Sequence, residues 1–271
     1  MMSTDLAGKV AIVTGGAQGL GWAISERLAR EGCSVAVADV NEAGAMDAAD
    51  EIAVSCGGRT LGLKVDVTEE SQVEAMFARV AAEFGRVDIV VSNAAILIAE
   101  PICEADAAKW RAVMNVNLFG YFLVTKHACR IMKRQKSGSI ININSKSGKR
   151  GSAANSAYAA TKFGSVGHTQ SVALEMAPYG VRCNAVCPGN LLDSPLWTDP
   201  ERGLFLQYLK AGKVAGAKTV EDVRRDYVDK VPMKRGCTYD DVCNAVVFLA
   251  SDQSSYITGV ALSVTGGQEM G

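Results

Sequence analysis

Histidine is nearly absent from this chain: only His127 and His168 occur, and neither lies near paired thiols. The eight cysteines are dispersed and none forms a Cys-x-x-Cys pair. Protein zinc sites need such clusters, so no metal centre is expected. A disulfide framework is equally out of place in a chain long enough to bury an ordinary core. The thiols therefore read as small buried hydrophobes of a cytoplasmic protein. No apolar run approaches the ~18 residues of a membrane helix. The leading "MMSTDLAGKVAIV" also lacks the apolar core of a signal peptide. An excess of either charge is missing too: the formal net charge is -1, which gives no electrostatic reason to expect nucleic acid. Aromatics make up 6% of the chain, whereas glycines number 27. That balance suits a layered α/β protein whose backbone approaches helices and ligands closely.

What is present is an alternation. "KVAIVTG", "SVAVADV", "TLGLKVDV", "VDIVVSNAA", "GSIININS", "VRCNAVCPG" and "VALSVTGG" read as seven strands. Helices are expected from about Leu20 to Glu31, over "EAGAMDAADEIAVSC", and over "EESQVEAMFARVAAEFG", where Val73, Met76, Phe77 and Val80 recur at helical spacing. Further helices are expected from about Asp106 to Lys136, from about Asn155 to Ala177 before Pro178 and Gly180, and from Tyr239 to Ala250. Continuous apolar strands separated by helices predict a parallel sheet covered on both faces. The expected architecture is thus a single Rossmann-like, doubly wound α/β domain over 1–271. Residues 190–236 break the rhythm. A long excursion after a strand's carboxyl end is the place for a substrate lid.

The first strand runs into "TGGAQGLG", followed by a helix. Glycines there let the backbone turn sharply and bring a pyrophosphate to the helix N-terminus. Gly15, Gln18, Gly19, Leu20 and Gly21 are the candidate contacts. Asp39 ends the second strand about 20 residues further on, placed to accept from both adenosine ribose hydroxyls and to repel a 2′-phosphate. Neither Val40 nor Asn41 offers a cation, so NAD is expected rather than NADP. Asp66 and Val67 close the third strand, and Asn93 and Ala94 the fourth, on the same carboxyl edge.

Tyr158 and Lys162 are spaced to share one face of a helix, and Ser145 lies thirteen residues before the tyrosine. A free phenol has a pKa near 10, and a nearby ammonium is expected to lower it. Tyr158 then exchanges the alcohol proton while hydride moves to or from nicotinamide. Ser145 hydrogen-bonds the reacting oxygen, and Lys162 is also placed to bind the nicotinamide ribose. Asn117, in "NVNLFG", is a candidate for holding a water that leads the proton to solvent.

"TGGAQGLG", "SNAA", "NVNLFG", "INS", "YAATK" and "NAVCPG" resemble, in order and spacing, the motifs of the short-chain dehydrogenase/reductase family. The resemblance covers nearly the whole chain and implies a tetrad of Asn117, Ser145, Tyr158 and Lys162. It also implies cofactor contacts from Pro188, Gly189 and Leu191, and a homotetramer through the two long helices, whose small residues include Ala159, Ala160, Gly164 and Gly167. Asp193 stands where that family often has a threonine for the carboxamide.

"INSKSGK", "KFGSVGHTQSVAL", "GNLLDSP", "DKVPMKRGC" and "TGGQEM" further resemble the sorbitol-6-phosphate 2-dehydrogenase branch. Lys146, Lys149, Arg150, Lys234 and Arg235 are cations expected near the substrate mouth, as a sugar phosphate requires, with Asn155 and Asn190 as further substrate candidates. Ala153 and Ala154 stand where that branch commonly has Lys-His, and Asp193 where it has a lysine. An unphosphorylated polyol therefore stays open as substrate. So does another carbonyl class, such as 3-oxoacyl thioesters; a non-catalytic NAD-sensing scaffold is the least favoured alternative.

Overall fold

The computed structural model describes residues 6–270, so the first five residues of the leading segment lie outside the described residues. Seven strands form one sheet in the order β3-β2-β1-β4-β5-β6-β7, with every pairing parallel. They are β1 (Val10–Thr14), β2 (Ser34–Asp39), β3 (Thr60–Lys64), β4 (Ile89–Ser92), β5 (Gly138–Ile143), β6 (Val181–Pro188) and β7 (Ala261–Val264). This is the doubly wound architecture that the alternation predicts.

The strands are apolar without a break because both faces are covered, and successive side chains serve opposite layers. Ala11 and Val13 of β1 join Val35 and Val37 of β2 against α1 (Gly19–Arg30), α2 (Glu42–Cys56) and α10 (Tyr239–Ala250). Val10 and Ile12 face the other way, with Ala36 and Ala38. That layer is closed by α3 (Glu70–Phe84), α5 (Gly120–Gln135) and α6 (Ser156–Met176). Fully burying one Leu, Ile or Phe contributes roughly 1.5–3 kcal/mol, so each layer is a substantial core. All eight cysteines are free. Among the described residues no helix is long and apolar enough to cross a membrane.

One expectation needs correction. The helix foreseen from Asp106 to Lys136 is α4 (Ala107–Met114) and α5, joined by a π turn over Asn115–Phe119. Asp106 caps α4 by accepting from Ala108 N and Lys109 N, while Lys136 closes α5 with φ 59°. Inserted π turns concentrate at functional positions, and Asn117 lies inside this one. The excursion after β6, where a lid is expected, is itself largely helical. It holds α7 (Pro195–Thr198), α8 (Leu204–Lys210) and α9 (Val220–Asp229), gathered around a small core of their own. Trp197 is its centre, with its ring centroid 5.0 Å from Phe205 and 4.9 Å from Tyr227.

Candidate active site

A parallel sheet delivers every strand's carboxyl end to one edge. Register places Thr14 of β1 beside Ala38 of β2 and Ser92 of β4, and Ser92 beside Asn142 of β5. Each loop quoted from the sequence therefore opens on the same crevice, a cavity of about 1020 Å³. Every expected cofactor residue lines it, as do Ser145, Tyr158, Lys146, Asn155 and Asn190. Asn117 lines an adjoining small void instead, and Lys149 and Arg150 line neither.

At the β1 turn, Gly15 has φ 64°, and a Cβ there would lie 2.8 Å from Ala94 Cα. A Cβ on Gly21 would lie 1.9 Å from Gly15 O. Both positions need glycine for close approach. Asn93 fastens this turn to β4: its Nδ2 donates to Thr14 O at 3.1 Å and to Gly15 O at 2.9 Å. At the start of α1, Gln18 provides no side-chain cap and the first turn carries no acidic residue. The free N–H groups and the helix dipole there suit an anion. Asp39 is held by Ala17 N (3.1 Å) and Asn41 N (3.0 Å), so its carboxylate is fixed at the rim of the crevice. The cradle and the carboxylate together fit an adenine dinucleotide without a 2′-phosphate. Asp66 spends its Oδ1 locally, on the N–H and hydroxyl of Thr68.

The catalytic candidates meet where α6 passes β5. Lys162 is buried, donates to Ile143 O at 2.7 Å, and places Nζ 5.4 Å from the centroid of the Tyr158 ring. Ser145 accepts from Ser147 N at 3.1 Å, and its hydroxyl is near enough to the Tyr158 phenol to favour its charged form. Asn144, which the sequence did not single out, ties the Ser145 loop to α6. Its Oδ1 accepts from Ser145 N (2.8 Å) and its Nδ2 donates to Lys162 O (3.0 Å). A buried asparagine beside a strand end was the available signal.

The electrostatics correct one expectation. Burial pushes the Tyr158 phenol up to about 12, against the Ser145 hydroxyl, which acts downward. Burial also takes Lys162 down to about 8. Desolvation thus outweighs the neighbouring ammonium, because removing charge from water costs more than one cation beyond hydrogen-bond range returns.

Asn117 faces Ile96 with both ends of its amide: Oδ1 accepts from Ile96 N (2.8 Å) and Nδ2 donates to Ile96 O (2.9 Å). Beside it and Lys162 lies a void of about 10 Å³, close to the size of one water. Ser92 Oγ and Asn142 Nδ2 have no protein partner among the described residues, and both residues line this void.

The expected substrate cations separate. Lys146 lines the cavity and donates to Gln268 Oε1 (2.7 Å), an acceptor shared with Asn190 Nδ2 (3.3 Å). Lys149 turns to Ser263 Oγ of β7 (2.8 Å), and Arg150 is exposed. Lys234 bonds Asp229 O, Arg235 is paired with the Asp241 carboxylate, and neither lines the cavity. Asp193 is ion-paired with Arg224 of α9. Lid residues unforeseen in the sequence complete the wall, among them Trp197, Tyr208 and Tyr227.

The short chain dehydrogenase family model matches residues 9–201. The chain belongs to that family. A second model, described as enoyl-(acyl carrier protein) reductase, matches residues 206–269. Sorbitol-6-phosphate 2-dehydrogenase of Escherichia coli (strain K12) is 44% identical over 264 residues, 97% of this chain and 99% of the relative. The crystal structure of sorbitol-6-phosphate 2-dehydrogenase SrlD from Erwinia amylovora superposes with a TM-score of 0.91 at 46% identity, covering 96% of this chain and 100% of that one. NAD+-bound xylitol dehydrogenase superposes at 0.93 with 30% identity, covering 97% and 100%. This short-chain dehydrogenase is an NAD-dependent oxidoreductase acting on alcohol groups.

Proposed function

We propose that this short-chain dehydrogenase oxidises a secondary alcohol of a hexitol 6-phosphate to the 2-ketose phosphate, as a sorbitol-6-phosphate 2-dehydrogenase. The observation that carries the reading is 44% identity over 264 residues, 97% of this chain and 99% of the relative, a span that includes the substrate wall as well as the nucleotide cradle. Bound NAD supplies the hydride acceptor. Tyr158 takes the proton of the reacting hydroxyl, and Ser145 donates to the same oxygen as it becomes a carbonyl. Lys162 holds positive charge behind the phenol and reaches the nicotinamide ribose. Asn117 and the void beside Lys162 form the proton's way out. Gly15, Gln18, Gly19, Leu20, Gly21 and Asp39 take the adenosine and pyrophosphate end, with Asp66, Val67, Asn93 and Ala94 beside the adenine and ribose. Pro188, Gly189 and Leu191 border the nicotinamide, and the 190–236 segment is the lid of a single catalytic domain.

We assign a homotetramer on the same footing. Trp110, Phe119, Phe122 and Phe163 expose aromatic surface on the α4–α6 side, where large patches favour association. Ala160, Gly164 and Gly167 are exposed there, while Ala159 points inward. The unpaired thiols support a reducing compartment, hence the cytoplasm.

Initial rates with NAD test the substrate reading. Sorbitol 6-phosphate should be turned over far faster than sorbitol at equal concentration. The reverse ranking, or activity with NADH on a 3-oxoacyl thioester and none on either polyol, would remove it.

A further inference from the structure

On the far wall of the cavity stands Lys146, with Tyr208 and Tyr227, and two further ammonium groups that the sequence did not single out, Lys213 and Lys230, lie against those tyrosines. Lys146 follows β5, Lys213 follows α8 and Lys230 follows α9, so one comes from the core and two from the lid. Two stacked tyrosines lie between them, with ring centroids 5.6 Å apart and planes at 12°. Lys213 Nζ sits 3.8 Å from the Tyr208 centroid. Lys146 and Lys230 sit 5.8 and 5.5 Å from the Tyr227 centroid.

The two half-buried members are held by neutral groups. Lys146 donates to Gln268, and Lys213 donates to Ser152 Oγ at 3.0 Å. With its amide oriented to satisfy both ends, Asn155 accepts from Lys213 Nζ (3.0 Å), Tyr208 OH (2.8 Å) and Ser152 Oγ (3.2 Å), while its Nδ2 donates to Ala154 O (2.9 Å). Among the described residues neither Lys146 nor Lys213 forms a salt bridge with a carboxylate. Lys230 is exposed and paired with Asp226. Glu269 acts on Lys146 from a distance, and Arg150 and Lys230 repel it. Burial, with those two cations, takes Lys146 down to about 8, and burial, with Lys146 and Lys230 nearby, takes Lys213 down to about 8 as well. Two partly desolvated cations without a counter-ion cost free energy, which an incoming dianion recovers.

Asn155 precedes Tyr158 by one turn of α6, so this cluster stands beside the base but apart from the nucleotide cradle. A hexitol 6-phosphate bound with its C2 hydroxyl on Tyr158 presents its phosphate at the opposite end of the carbon chain. We infer that Lys146 and Lys213, with Lys230 at the rim, form a phosphate-monoester subsite that joins the core to the lid. This rests on the polyol reading for its substrate, and it adds the residues that choose the phosphorylated form. Lys213 is the decisive member because it reaches the site from the lid.

The test compares sorbitol 6-phosphate with sorbitol, using NAD and the full-length protein, for wild type, Lys213→Gln and Lys213→Arg. The kcat/KM preference for the phosphorylated substrate should fall roughly 10- to 100-fold in Lys213→Gln and be largely restored in Lys213→Arg. An unchanged preference in Lys213→Gln overturns the assignment, as does loss of preference in Arg202→Gln instead, since Arg202 is the exposed cation elsewhere on the cavity wall. A calorimetric titration of the NADH-loaded protein with inorganic phosphate reads the subsite without turnover. Saturable binding weakened about tenfold or more by Lys213→Gln supports it, and no binding to wild type overturns it. If neither polyol is oxidised yet this titration behaves as expected, the polyol reading falls and the anion subsite stands.

Discussion

The nucleotide end and the lid end of one cavity are built on different principles. At the nucleotide end the working groups are backbone: glycine turns, free N–H groups at the start of α1, and one carboxylate, Asp39, pinned by two amides. These groups sit at consecutive strand ends, and the sheet register alone brings them together. At the lid end the working groups are long side chains, supported by a separate aromatic core around Trp197. Backbone recognition serves a cofactor part that is the same in every turnover. Side-chain recognition serves the part by which one alcohol differs from another. The difference also predicts unequal stability, because the lid core is small and detached from the two layers that clamp the sheet.

Five perturbations break or sharpen that contrast. The largest effect belongs to Tyr158→Phe, which should lower kcat by about 10²- to 10⁴-fold or more while NADH binding, followed by fluorescence, stays near wild type. Full activity in that variant would remove the proposed base. Next, Trp197→Ala should cost the lid roughly 3–5 kcal/mol of local stability. Hydrogen exchange should then show α7–α9 opening while α1 and β1 stay protected; uniform loss of protection would mean the lid is no separate unit. Asp39→Asn should shift the NAD-to-NADP ratio of kcat/KM by about 10- to 100-fold through loss of like-charge repulsion, leaving polyol preference alone.

The fourth perturbation is pH. With Tyr158 as the proposed base, the form active in oxidation has Tyr158 deprotonated and Lys162 protonated. With the phenol at about 12 and the ammonium at about 8, that form grows about tenfold per pH unit below 8. It levels off above 8, because each further gain at Tyr158 is cancelled by proton loss at Lys162. Reduction needs both groups protonated, so it should be flat below about 8 and fall above it. An oxidation profile that falls as pH rises from 6 to 8 would contradict the assignment. The smallest effect is expected from Arg235→Ala. This exposed residue is paired with Asp241, so stability should change by less than about 1 kcal/mol and substrate preference should not move.

Local patterns made much of the site legible. Strand ends follow from apolar runs, and these put Asp39 and Asn93 on the carboxyl edge of the sheet. The facing of Tyr158 and Lys162 follows from helical periodicity over four residues. The basic residues were harder, because a lysine's stem is long and its partner is set by packing. Lys149 and Arg235 looked equivalent to Lys146, yet Lys149 bonds Ser263 across 114 residues and Arg235 takes a carboxylate six residues away.

The sequence by itself determined the sheet, the glycine cradle, the place of Asp39 at the end of the second strand, and the spacing of Ser145, Tyr158 and Lys162. Each is a short-range consequence of periodicity or strand termination. Only the tertiary structure decided that Tyr158 is raised rather than lowered, since burial is a property of the assembled layers. It also decided which cations meet: Lys213 reaches Ser152 across 61 residues, a contact that exists only because the lid core folds over the end of α6.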